Sequence, residues 1–75
     1  MRKIGELSIY GFGFLTVYYD SKAERNPYRL YHEYNGPNAR YTNHHKIQLV
    51  RYADLLSVVC YMEQIVREHN EEKRG

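Results

Sequence analysis

The sequence predicts an α+β domain, a three-stranded antiparallel sheet with one C-terminal helix packed on one face, in the order βββα. Three observations lead there. Residues 7–19, 28–34 and 46–52 carry aromatic and aliphatic side chains at strand spacing. Residues 55–69 carry apolar side chains at helical spacing behind an aspartate. Turn-forming Asn, Asp, Gly and Pro punctuate the gaps between them. At 75 residues the chain is expected to be a single domain, 1–75, with a thin stability margin.

The first strand is expected over residues 7–19. Its odd positions read Leu7, Ile9, Gly11, Gly13, Leu15, Val17 and Tyr19, and its even positions read Ser8, Tyr10, Phe12, Phe14, Thr16 and Tyr18. Alternate strand side chains point to opposite faces, so one face is aliphatic and the other aromatic. The two glycines mark a bulge or a close approach by another element. Residues 20–27 form a polar turn in which Asp20 and Asn26 can bond their own backbone and Pro27 keeps Asn26 out of a helix. The short connection makes residues 28–34 the second arm of a hairpin. Asn35, Gly36, Pro37 and Asn38 then stop the strand, and residues 46–52 form the third.

Asp54 is the expected N-cap of a helix over residues 55–69, because its carboxylate can accept the free N–H groups of the first turn. Leu55, Val59, Met62 and Val66, flanked by Val58 and Ile65, form its apolar stripe, which needs the aliphatic sheet face as partner. Glu63 and Arg67 form a favourable i,i+4 pair. Residues 70–75 read as a frayed, charged tail.

Composition narrows the chemistry. Cys60 is the single cysteine, so no intramolecular disulfide can form, and a free thiol fits a reducing compartment. The basic N-terminus is followed by no apolar run of signal-peptide length, and the most apolar stretch, 55–62, is far shorter than a membrane span. The expected location is the cytoplasm. Net charge is +2, too mild to argue for nucleic acid by itself. His32, His44, His45 and His69 do not fall at metal-ligand spacing with Cys60, and adjacent His44 and His45 diverge if extended. Cys60 with a histidine is the sole conceivable catalytic dyad, with nothing nearby to activate the thiol. No cofactor, metal site or enzymatic activity is expected, and the roles of Cys60, His44 and His45 stay open.

The segment Tyr10-Gly11-Phe12-Gly13-Phe14-Leu15-Thr16-Val17 resembles the RNP1 octapeptide of RNA-recognition motifs, whose strand aromatics stack on unpaired bases. Gly11, Phe12, Gly13, Phe14 and Leu15 match. Tyr10 stands where that family has a basic residue, Val17 where it has an aromatic one, and no strand and helix precede the segment. The βββα order also resembles the small DNA-binding domains of mobile-element integrases and plant AP2-type factors, which read the major groove with the exposed sheet face. That resemblance lies in element order and carries no residue over.

Nine tyrosines and two phenylalanines give an aromatic strand face that one helix cannot cover. The expected function is a small non-catalytic protein-binding module that self-associates through that face by Tyr10, Phe12, Phe14, Tyr18 and Tyr31. The alternative is a nucleic-acid-binding accessory protein of phage or mobile-element type. It uses the same face, with Arg29, Arg40, Lys46 and Arg51 on phosphates. The expected partner is therefore a second copy or another protein, with nucleic acid as the alternative and no membrane.

Overall fold

A computed structural model describes residues 1–35 and 44–74, and of Asn35, Lys73 and Arg74 the backbone alone. The chain forms β1 (Arg2–Ile9), β2 (Gly13–Tyr19), β3 (Tyr28–Asn35), β4 (His44–Tyr52) and α1 (Leu55–Arg74). The strands make one antiparallel sheet in the order β1-β2-β3-β4. The α+β class with a single C-terminal helix is therefore as expected, but the sheet has four strands, not three. The stop at residues 36–38 lies outside the described residues.

The extra strand comes from a break in residues 7–19. The N–H of Phe12 donates to the carbonyl of Ile9 at 3.0 Å, which closes a tight turn over Tyr10 and Gly11. Gly11 has φ 76° and Gly13 has φ 121°, values that L side chains rarely adopt. The chain reverses there, and Ile9 pairs with Gly13 while Leu7 pairs with Leu15. The glycines of the expected long strand are thus the hinge of a hairpin. The next connection is as expected. Asp20 accepts the N–H of Lys22 at 3.1 Å, and Asn26 takes a left-handed φ of 53° just before Pro27.

Two irregularities reset the alternation of side chains. The β1–β2 register shifts between Lys3 and Gly5, which puts Lys3 and Glu6 on one face, where they bond at 2.8 Å. The β3–β4 register shifts at Leu30/Tyr31, so Gln48 and Arg51 share a face although their spacing is odd. The face turned toward α1 (inner) carries Leu15, Val17 and Leu30, which with Val58 of α1 are the fully buried apolar core. The opposite (outer) face carries Phe14, Thr16 and Tyr18 of β2 beside Glu33, Tyr31 and Arg29 of β3.

Asp54 caps α1 as expected. Its Oδ1 accepts the N–H of Ser57 at 2.8 Å and its Oδ2 the Ser57 hydroxyl at 3.1 Å. Glu63 and Arg67 bond at 2.6 Å, also as expected. Two expectations need correction. The helix continues through Arg74, five residues past its expected end. It is also rotated from the expected stripe. Val58, Tyr61, Met62 and Ile65 pack on the core, while Leu55 and Val59 are about half exposed. The helix is apolar over a wide arc, and packing on β3 and β4 selects one margin of it. No helix among the described residues is long and apolar enough to cross a membrane.

Candidate functional site on the outer sheet face

Three of the five expected interface residues come together on the outer face. Tyr18 and Tyr31 lie on adjacent strands with ring centroids 5.1 Å apart and planes at 86°. Phe14 lies four residues before Tyr18 on β2, on the same face, and is 40% exposed. Among the described residues no helix covers this face, and its order comes from its own side chains.

Lys46 of β4 lays its ammonium 4.0 Å from the Tyr18 ring centroid and 4.8 Å from that of Tyr31. A cation over an exposed aromatic ring is worth about 0.5–1 kcal/mol. The Tyr18 hydroxyl donates to Glu33 Oε2 at 3.4 Å, and the Tyr31 hydroxyl to Gln48 Oε1 at 3.1 Å. His44 Nε2 lies 3.1 Å from Glu33 Oε1. The Glu33 side chain is only 12% exposed although it faces away from the helix. The bulky rings on either side account for that burial.

Glu33 stays ionised below the usual carboxylate range. The Thr16 hydroxyl is the largest influence lowering it, followed by His44 and the Lys46 charge, while burial pushes the other way. Thr16 Oγ1 is buried and makes no hydrogen bond of regular geometry. We therefore ascribe its effect to a nearby dipole rather than a full bond. A carboxyl lowered by folding adds stability above its ordinary value of 4.5, and that stability is lost as pH falls through the folded value. Wild type should thus lose stability more steeply than Glu33→Gln as pH is lowered from 5 toward 3, read as urea midpoints at each pH. Parallel curves for the two proteins would show that Glu33 does not drive the acid limb.

Two of the four cations expected to meet phosphate are already engaged. Arg29 pairs with Asp20 at 2.9 Å. Lys46 covers the two tyrosines. Arg51 sits opposite Arg29 on the same face and makes no ion pair among the described residues. Arg40 lies outside the described residues. Among the described residues, Lys3, Arg29, Lys46 and Arg51 share this face by register with Glu6 and Glu33, and Asp20 joins it by pairing with Arg29, which leaves one positive charge in excess. The face is mixed in sign, unlike the continuous basic tracks that follow nucleic-acid backbones.

Tyr10 and Phe12 do not belong to this face. Tyr10 caps the β1–β2 turn and is 91% exposed. Phe12 turns inward and stacks on His32, with centroids 4.1 Å apart and planes at 15°. The RNP1-like octapeptide is thus split between a turn and a strand, and its aromatics do not form one stacking platform. The stack continues from His32 to Tyr34 at 4.6 Å and from Tyr34 to His45 at 5.0 Å. His32 Nε2–H donates to the Phe12 carbonyl at 2.8 Å, and His69 Nε2–H to the Tyr10 carbonyl at 3.1 Å. These histidines clamp the turn to β3 and α1. The alternation of His32 and Tyr34 on β3 was the sequence signal for this ladder, but Phe12 had been placed on the other face.

This placement separates two substitutions. Phe12→Ala removes a ring packed on the core and should cost about 3 kcal/mol, whereas Phe14→Ala should cost less than about 1 kcal/mol. Chemical denaturation of both variants checks the order, and equal losses would contradict the inward placement of Phe12.

Cys60 is exposed on α1 and lines an open cleft of about 370 Å³ with Tyr52, Leu56, Ser57, Tyr61 and Gln64. It makes no hydrogen bond among the described residues. No group of three or more His, Cys, Asp or Glu side chains among them is placed to hold a metal ion. No protein family model, curated protein or solved structure matches this chain.

Proposed function

We propose that this chain is a small non-catalytic protein-binding module that acts through its outer sheet face, with a second copy as the first partner to test. The observation that carries this reading is a sheet face left uncovered by the described residues, whose Tyr18, Tyr31 and Glu33 are held in one arrangement beside exposed Phe14. Such a face presents rigid aromatic area with little ordering cost on binding. Its mixed charges give orientation to a docking protein surface without demanding a polyanion. The thin core supports a self-associating partner, since only Leu15, Val17, Leu30 and Val58 are fully buried among the described apolar residues.

Sedimentation velocity at micromolar concentrations tests it. A dimer that Phe14→Asp converts to a folded monomer is the expected result, with weak dependence on salt. A wild-type monomer at every concentration would overturn self-association. Binding of oligonucleotides that weakens steeply with salt would replace the reading with the nucleic-acid one.

A further inference from the structure

We propose that the corner formed by Tyr18, Tyr31 and Glu33 is a receptor for the alkylammonium group of a partner's side chain, and that Lys46 occupies it when no partner is bound. The proposal rests on the outer face being the recognition surface and adds the chemistry it selects. The two rings meet near a right angle, and one ammonium lies within cation–π range of both. The Glu33 carboxylate borders the same corner through the Tyr18 hydroxyl, so a negative charge and two π faces converge there. The corner therefore already holds a group of the proposed class.

Its present occupant is held loosely. Lys46 is exposed and makes no hydrogen bond or ion pair among the described residues. It reaches the rings on a flexible four-carbon stem. An incoming ammonium displaces it with no change of backbone, because Lys46 can swing back into water. Methylation of the incoming nitrogen favours exchange, since a methylated ammonium is less strongly hydrated and keeps its attraction to the rings. Glu33 remains in place for the new cation, clasped by Tyr18 and His44.

The test is an NMR titration of the full chain with tetramethylammonium chloride at constant ionic strength, in wild type and in Lys46→Met. Lys46→Met removes the resident ammonium charge at an exposed position and should leave the fold intact. Saturable shifts of the Tyr18 and Tyr31 ring signals are expected, about two- to fivefold tighter in Lys46→Met than in wild type, the margin that one exposed cation–π contact supplies. Glu33→Gln in the Lys46→Met background keeps both rings and should weaken binding. Acetyl-lysine amide, its trimethyl form and choline then identify the source. Binding of either lysine derivative supports a partner's side chain, and binding of choline alone would overturn that source. No saturable shift in Lys46→Met, or equal affinity with Lys46 present, would overturn the proposal. The titrations are run on the monomer, in the Phe14→Asp background where the wild type dimerises, so neither outcome depends on the oligomeric state. A failed titration leaves the protein-binding reading standing, and a monomeric chain leaves the corner testable.

Discussion

Replacing Leu30 by alanine should remove about 3 kcal/mol of stability, as large a loss as is expected from any single truncation in the core. Leu30 is fully buried at the centre of the sheet, between Val17 of β2 and Val50 of β4. Truncation there deletes apolar contacts to both neighbouring strands and leaves a cavity under α1 that the sheet backbone cannot collapse to fill. A 75-residue domain has only about 4–11 kcal/mol in hand, so this one change consumes a large share of it. With a urea slope near 1 kcal/mol per molar, the midpoint should fall by about 3 M with the slope unchanged. Ile47→Ala is the matched control, because Ile47 is 47% exposed on β4. It should cost less than about 1 kcal/mol. Equal midpoints for the two variants would mean that the core does not centre on Leu30.

Gly13→Ala should cost at least about 2 kcal/mol and loosen the β1–β2 turn, for two separate reasons. The backbone at Gly13 has φ +121°, where an L side chain is strained whatever the space around it. An added Cβ would also stand 2.7 Å from the Glu33 carbonyl oxygen and 2.9 Å from the Cβ of Tyr34. Both obstacles belong to β3, so relief requires β2 and β3 to separate near the His32 clamp on Phe12. Gly5→Ala gives the contrast. A Cβ there meets only the Val17 side chain, at 3.9 Å, an ordinary contact. Gly5 lies in β1 without a positive φ, and alanine there should be neutral or slightly stabilising because it restricts the unfolded chain. Thermal melts of the two variants decide the matter. Similar losses would show that Gly13 tolerates a side chain and that the turn is not fixed by its backbone.

Much of the architecture follows from local chemistry and is legible without coordinates. Asp54 before an apolar periodic run is a helix start, because a carboxylate there satisfies the orphan N–H groups of the first turn. Asp20, Asn26 and Pro27 form a turn because each biases its own backbone. These signals act within a few residues and depend on nothing distant. The turn at Tyr10–Phe12 differs. The alternation across residues 7–19 is the pattern of one long strand and equally of a hairpin whose arms happen to keep phase. The decision rests on whether charged residues 2–6 can pair with β2, and a bulge between Lys3 and Gly5 makes that possible.

The candidate site divides in the same way. Phe14, Tyr18 and Tyr31 reach one face because β2 and β3 keep strict alternation between them, so their grouping was readable from parity. Phe12 was misplaced because the turn inverts its direction. Lys46 and Glu33 entered the site through the register of β3 with β4, where they stand directly opposite each other, a pairing no local rule supplies.

The sequence by itself therefore determined the class of domain, the capped C-terminal helix, the central hairpin and the aromatic identity of the outer face. Only the tertiary structure decided that the sheet has four strands, that Val58 rather than Leu55 faces the core, and that Lys46 rests on Tyr18 and Tyr31 beside an ionised Glu33. The reason is physical. Caps, turns and periodicity are set by neighbours in the chain. Bulges, helix rotation and cross-strand pairs are set by which of several similar local choices buries the most apolar surface once the whole chain has come together.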